Sequence, residues 1–303
     1  MKLVILGAGG RLGAALLREY RERFDVTGFN HTHLDLSDLD DARDKLRETS
    51  FDVLINAAGF TKVDLCETQP ERAFLINAEA PRVLADICAG KNARLIQFST
   101  DYVFDGKKRE PYTEEDEAHP ISIYGESKLA GENNVLAAQG RNLVVRVSWV
   151  FGPDRPSFID AMVQQAQENE EVAAVADKFS TPTYTLDIAE MLGRILDGWS
   201  GRAPAPDGPA AGRLQGILHF ANAGKCSWQE YAQWAVDCCH DAGLPLKAKT
   251  IGARKLREMS NWVARRPVYT VLCTAKYTRL TGISPRTWRE AVCDYITRFY
   301  SKK

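Results

Sequence analysis

Along the first half of the chain, apolar residues come in short unbroken runs separated by amphipathic stretches. Residues 3–6 form one run, followed by glycines and then by Leu12, Leu16 and Leu17 at helical spacing. Residues 24–29 predict a second strand and 39–46 a helix. Residues 53–55 predict a third strand, closed by Asn56-Ala57-Ala58-Gly59. Residues 70–89 read as one long helix, 95–98 as a fourth strand, 123–138 as a helix and 143–150 as a fifth strand. A strand without polar alternation is buried on both faces. Such strands alternating with helices predict a doubly wound, Rossmann-type α/β fold with a parallel sheet.

The second half is less regular. Residues 173–175 and 217–220 predict strands, and 186–196 a helix. Ser227 caps a helix from Trp228 to about Ala242, stopped by Gly243 and Pro245. Residues 287–300 predict a C-terminal amphipathic helix, and 201–212, rich in Pro, Gly and Ala, a surface loop. The expected division is a dinucleotide-binding unit over 1–150, with return segments at about 175–195 and 215–222. The remainder of 151–303 is expected to form mainly a smaller substrate-binding lobe.

Composition narrows the functions. With 39 Lys and Arg against 40 Asp and Glu, the net charge is -1, which excludes a general nucleic-acid or membrane-surface binder. The balance hides a split: residues 251–303 carry 12 basic and 3 acidic side chains, while the first 250 residues are net negative. Seven Cys without any C-x-x-C pair predict reduced thiols and a cytoplasmic setting, with no metal site. The N-terminal apolar run is too short for a signal peptide, and no run reaches a membrane-spanning length of about 18 residues. The acidic run Glu114-Glu115-Asp116-Glu117 reads as a solvated loop. Trp228, Tyr231 and Trp234, at i, i+3 and i+6, read as core or interface.

Two constellations carry chemistry. After the first strand, Gly7, Gly10 and Gly13 stand at G-x-x-G-x-x-G spacing, with Arg11 and Leu12 opening the following helix. Glycine lets a pyrophosphate approach the backbone, and the N–H groups of a helix N-terminus bind it, so this turn predicts a nicotinamide dinucleotide site. The second strand ends in Phe29-Asn30-His31-Thr32-His33, without a carboxylate at its tip. That favours NADPH over NADH, because a carboxylate there would select the ribose 2'-hydroxyl of NAD. Asn30, Asp35 and Leu36 are candidates for the adenosine side; capping by Ser37 or Asp38 is an equal reading of that segment. The second constellation is Tyr124 and Lys128, at i and i+4 on one helix face. An ammonium nearby is expected to lower the phenol's pKa and make it a usable proton donor to a carbonyl. The preceding strand ends in Ser99-Thr100-Asp101, which puts hydroxyls at the carboxyl edge of the sheet, where ligands of such folds bind.

These motifs sit in a chain that resembles the extended short-chain dehydrogenase/reductases, and within them the dTDP-4-dehydrorhamnose reductase family. The resemblance rests on NAAGFTKVD at residues 56–64 with Glu67, Ala73 and Asn77, on FSTDYVFDG at 98–106, and on Pro120 with YGESKLAGE at 124–132. It continues in RVSWVFG at 146–152, DKFSTPT at 177–183 and ARRP at 264–267, so it covers nearly the whole chain. It implies NAD(P)H-dependent reduction of the C4 ketone of a nucleotide-linked 6-deoxy-4-keto sugar. Tyr124 then donates the proton, Lys128 tunes it and holds the nicotinamide ribose, and Thr100 is the hydroxyl partner. Ala57, Ala58 and Tyr102 lie along the cofactor. Thr100, Asp101, Trp149, Arg265 and Arg266 lie on the substrate. The superfamily also suggests a homodimer built on the helices at 70–89 and 123–138. Departures at Ser180, Val268-Tyr269-Thr270 and Cys273 fall in the substrate half.

Two other readings stay open on the sequence. Nucleotide-sugar dehydratases and epimerases share the fold, and dehydratases carry Asp-Glu after the strand-end Thr, where this chain has Asp101-Tyr102. The regulatory subunit of methionine adenosyltransferase resembles the family and uses the fold as a binding module.

Overall fold

The computed structural model describes residues 1–138, 140–202 and 214–300. The chain enters on β1 (Lys2–Leu6), turns into α1 (Arg11–Tyr20) and returns on β2 (Asp25–Phe29). It continues through α2 (Leu39–Glu48), β3 (Val53–Asn56), α3 (Val63–Thr68), α4 (Pro70–Phe74), α5 (Ala80–Gly90) and β4 (Arg94–Thr100), then α6 (Ile123–Ala137) and β5 (Leu143–Val147). Next come β6 (Val150–Phe151), α7 (Phe158–Glu168), β7 (Val172–Val175), β8 (Phe179–Ser180), β9 (Thr183–Tyr184), α8 (Thr185–Ser200) and β10 (Gly216–Phe220). The chain closes with β11 (Cys226–Ser227), α9 (Trp228–Asp241), β12 (Ile251–Arg254), α10 (Ala275–Thr281) and α11 (Trp288–Phe299). Among the described residues no helix is long and apolar enough to cross a membrane.

Six strands form one parallel sheet in the order β10-β5-β4-β3-β1-β2. The unbroken apolar runs have their cause here. On β1, Leu3 and Ile5 pack with Leu16 and Tyr20 of α1 and Ile188 and Leu192 of α8. Val4 and Leu6 pack on the opposite face with Leu46, Leu84 and Leu54. Both faces are covered, which is the doubly wound α/β arrangement the pattern predicts. The chain winds outward to β2, crosses back to β3 and then winds the other way, so the connections leaving the carboxyl ends of β1 and β3 diverge and open a crevice above the paired strands. Beside this sheet, α7, α9 and α11 enclose an aromatic core of Phe151, Tyr184, Tyr231, Trp288 and Tyr295. Three two-stranded pairs, β6–β9, β8–β11 and β7–β12, lie outside the main sheet.

Several local expectations are corrected. The helical stretch at 70–89 is interrupted by a π-helical turn at Leu75–Glu79. Pro81, just inside α5, has no N–H to give the Asn77 carbonyl four residues back, so the regular ladder fails at that turn. The strand expected over 143–150 stops at Val147, because Trp149 adopts a left-handed backbone (φ +43°). The thiols are not all free: Cys238 on α9 and Cys293 on α11 form a disulfide, while the adjacent Cys239 stays reduced and buried. Spacing could not signal this pair, since the two lie 55 residues apart. In the acidic run, Glu114 accepts from the His219 N–H at the β10 edge (2.9 Å), and Asp116 holds Lys108 (2.7 Å). The basic C-terminal helix is likewise engaged: Arg286 binds Asp187 and Asp294, and Arg298 binds Asp294. The loop expected at 201–212 lies mostly outside the described residues, as do Lys302 and Lys303.

Glycine sets how closely α6 approaches the π turn. A Cβ on Gly131 would stand 2.0 Å from the Asn77 carbonyl oxygen, and one on Gly125 would stand 2.3 Å from that of Tyr102. Gly131→Ala is therefore expected to lower the unfolding free energy by about 3 kcal/mol in urea titration. A loss below about 0.5 kcal/mol, as for a neutral surface change, would mean that α6 shifts without cost.

Candidate active site

A cleft of about 900 Å³ opens over the carboxyl ends of the central strands. The glycine turn forms one wall. Gly7 has φ +77°, and a Cβ there would stand 2.8 Å from the Ala58 nitrogen, so the turn sits against the end of β3 only with glycine at this position. Gly13 lies one layer below: its Cβ would meet the Gly7 oxygen at 2.1 Å, so it seats α1 against the turn without lining the cleft. Gly10 caps α1 without a side-chain partner, leaving the first N–H groups of the helix to face an anion. Arg11 and Leu12 line the same wall. The Arg11 guanidinium also donates to the carbonyls of Val150 and Arg155 (3.2 Å each) and of Pro156. Arg155 answers by donating to the Gly9 carbonyl at 2.9 and 3.0 Å. This arginine staple ties the turn to the segment after β6, and nothing in the local sequence pattern marks Arg155 for it.

Asn30, Asp35 and Leu36 line the far end, and Ala57 and Ala58 line the middle. The Asn30 side-chain oxygen Oδ1 accepts from the Thr32 and His33 N–H groups and so shapes the loop after β2. Burial raises the Asp35 carboxyl, but the Ser37 hydrogen bonds and the nearby His31 and Arg72 outweigh it and hold the group low. Arg72, which the sequence reading did not single out, brings a cation to this end.

The reactive end is built by α6. Its cap, Ser122, accepts from the Gly125 N–H at 3.2 Å, and the helix presents Tyr124 and Lys128 to the cleft. The Tyr124 side chain faces the Thr100 hydroxyl across the cleft wall, and its ring meets Tyr102 edge-on at 5.8 Å. The Lys128 ammonium donates to the Phe98 carbonyl at 2.7 Å. One turn on, Glu132 receives a buried bidentate contact from Arg146 of β5, at 3.0 and 2.6 Å. Asn77, in the π turn, both accepts from the Phe60 N–H (2.8 Å) and donates to the Ser127 hydroxyl (3.0 Å), clamping the loop after β3 to α6. The expected depression of the phenol is not seen. Burial raises the Tyr124 pKa, against the Thr100 hydrogen bond, and the ammonium is committed to a backbone carbonyl instead. Burial also pushes Lys128 down to about 8, opposed by Glu132.

Beyond Tyr124 lies a second polar floor. Asp101 is buried and accepts from Thr100 (3.1 Å) and from Ser148 (2.9 Å). Burial raises its pKa, against the attraction of Lys178. Lys178 is buried as well and is pushed by burial down to about 8. Trp149, held in its left-handed conformation, stacks on Trp228 at 5.0 Å and lines the same end. Trp228 is thus a wall of the cleft rather than only core, whereas Tyr231 is buried in the core behind it.

Comparison with known proteins gives this arrangement its family. The model described as "RmlD substrate binding domain" matches residues 1–301. The chain belongs to this family. It is 37% identical over 299 residues to the dTDP-4-dehydrorhamnose reductase of Mycolicibacterium smegmatis, covering 97% of this chain and 85% of that one. It is 31% identical to the spore coat polysaccharide biosynthesis protein SpsK of Bacillus subtilis, covering 97% and 96%. Among solved structures, dTDP-4-dehydrorhamnose reductase from Bacillus anthracis str. Ames in complex with NADP superposes with a TM-score of 0.86 at 30% identity, covering 98% and 99% of the two chains.

Two residues expected on the substrate are not among those that line the cleft: Arg265 is exposed, and Arg266 is half-buried next to the cleft residues Tyr102 and Lys178. The Arg266 guanidinium is spent on Asp64, with contacts at 2.6 and 3.0 Å, and stacks 4.0 Å over Trp262. Asp64 also accepts from the N–H groups of Val263 and Ala264, both at 2.9 Å. Sequence could show the cations but not the carboxylate that claims one of them. Lys178 and Ser180 do line the cleft, although the sequence reading gave them no role. The available signal was a lone lysine between the apolar residues Val175 and Phe179.

Asp64 is therefore a strap, holding residues 263–266 against the loop after β3. Asp64→Ala is expected to speed amide exchange of Val263 and Ala264 by at least tenfold while the sheet amides keep their protection. Unchanged exchange at these two amides would show that the strap is held elsewhere.

Proposed function

We propose that the protein is an NAD(P)H-dependent reductase acting on the C4 ketone of a nucleotide-linked 6-deoxy-4-keto sugar, with dTDP-4-dehydro-L-rhamnose as substrate and dTDP-L-rhamnose as product. One observation carries the reading: Tyr124, Lys128 and Thr100 line the same cleft as a glycine turn that brings backbone N–H groups to its wall. Family membership and the reductases among its relatives support the substrate class.

The residues present fit a dinucleotide. Gly7 leaves a backbone cradle that any Cβ would fill, and the α1 N-terminus supplies donors for a pyrophosphate. Gly10, Arg11 and Leu12 would hold the pyrophosphate side, Asn30, Asp35 and Leu36 the adenosine, Ala57, Ala58 and Tyr102 the middle, and Lys128 the nicotinamide ribose. A reduced nicotinamide, when bound, supplies the hydride. The absence of a carboxylate at the tip of β2 and the presence of Arg72 favour the 2'-phosphate of NADPH, the form held by the Bacillus anthracis relative.

The chain's own residues handle the proton. As charge builds on the ketone oxygen, Tyr124 donates its O–H; Thr100, whose own proton goes to Asp101, fixes where the phenol stands. The raised phenol pKa keeps Tyr124 protonated through neutral pH, so the donor is always loaded. Lys128 places positive charge beneath the site and fixes α6 to β4. Asp101 and Trp149 bound the sugar. The neighbour of Asp101 is Tyr102, so that position brings no second carboxylate to the reacting centre, and this supports reduction over dehydration.

Tyr124→Phe keeps the ring and removes the proton. It is expected to cut kcat by about 10²–10⁴ while NADPH still binds, followed as NADPH oxidation with the dTDP-4-keto sugar. Turnover near wild type would sink the mechanism. The pH profile of kcat/KM tests the field. Both ammonium groups at the cleft, Lys128 and Lys178, are charged below about 8 and lose their charge as pH rises through it. The expected result is a basic limb near pH 8; a plateau extending to pH 10 would remove the lysines from the rate-determining field.

A further inference from the structure

The polar floor beyond Tyr124 contains a group that none of the steps above uses. Lys178 is 2% exposed yet contributes to the wall of the cleft. Its ammonium makes one protein hydrogen bond, to the Pro267 carbonyl at 2.9 Å, and lies 5.1 Å from the Tyr102 ring and 5.9 Å from the Trp228 ring. An ammonium has three protons to donate, so two remain. The facing group is the Asp101 carboxylate, which attracts Lys178 without forming a contact ion pair and, with two oxygens, has acceptor capacity left beyond Thr100, Ser148 and the neighbouring Thr270 hydroxyl. A buried cation and a buried anion held apart in one cleft are costly unless something polar bridges them.

A sugar hydroxyl is the group that fits, because it donates and accepts at once. We propose that Lys178 is a specificity-determining residue that holds one secondary hydroxyl of the sugar ring, the hydroxyl accepting from the Lys178 ammonium and donating to Asp101. Trp149 and Trp228, stacked beside the pair, offer an apolar wall for the C–H face of the same ring. Because Asp101 also receives the Thr100 hydroxyl, the bridge fixes the sugar relative to Tyr124. The ketone at C4 and the deoxygenated C6 leave the C2 and C3 hydroxyls as the candidates. This assignment rests on the sugar-reductase reading and is tested separately from it.

The test compares the wild type, Lys178→Met and Lys178→Arg on the parent dTDP-4-keto sugar and on its 2-deoxy and 3-deoxy analogues. Wild type should lose about tenfold to a hundredfold in kcat/KM on one of the two analogues. Lys178→Met should lose as much on the parent, mainly through KM, with an unchanged Kd for NADPH, and should handle parent and that analogue alike. Lys178→Arg should recover part of the loss. If wild type turned over both analogues as well as the parent, no hydroxyl would be held and the proposal would fall, whether or not the variants fold. Equal losses by Lys178→Met on all three sugars would also overturn it. A wild type that reduces no 4-keto nucleotide sugar but binds dTDP-L-rhamnose with a Lys178-dependent Kd would overturn the functional reading and leave this one standing. Neither turnover nor binding would overturn both.

Discussion

The site depends on how α6 is fastened to the sheet. Two ionic groups one helical turn apart do this from within the core: Lys128 donates to the Phe98 carbonyl of β4, and Glu132 takes the Arg146 fork of β5. Each would be costly to bury alone, and removing one partner of such a pair costs about 3–5 kcal/mol. The gain is positional. Tyr124 stands at the start of the same helix, so its hydroxyl inherits the register of both strands and comes to lie against Thr100 at the end of β4. The glycines of α6 and the Asn77 clamp serve the same end, since a helix held this closely leaves the phenol little freedom.

Much of the fold was legible in the sequence, for a physical reason. Strands covered on both faces leave unbroken apolar runs such as 3–6 and 53–55, and the glycine turn and the Tyr124–Lys128 pair are local patterns. What stayed hidden depends on contacts between distant segments. The pairing of Arg266 with Asp64, some 200 residues away in the chain, is one such contact. The disulfide between Cys238 and Cys293, the staple of Arg155 onto Gly9 and the burial of Lys178 share that origin. The phenol's pKa was misjudged differently: helical spacing places the ammonium on the right face, but not the backbone carbonyl that captures it.

Charge follows the same logic. The chain is nearly neutral, and much of its basic C-terminal excess is absorbed in pairs such as Arg286 with Asp187 and Arg298 with Asp294. The cations that matter at the cleft, Lys128 and Lys178, come from the net-negative first 250 residues. The cleft thus buries two ammonium groups where water screens them little, and net charge carries no record of it.

Trp149 has a consequence of its own. An aromatic residue at φ +43° is an uncommon backbone state that costs of order 1–3 kcal/mol, and here it ends β5 and turns the indole into the cleft. The surrounding rings, Phe158, Trp228 and Tyr231, and a hydrogen bond from the Thr183 N–H to the Trp149 carbonyl hold it there. This wall of the cleft is therefore a loaded spring with an aromatic latch: whatever reshapes the rings also decides whether the peptide unit relaxes, so the contour of the cleft and local stability are set together at one residue.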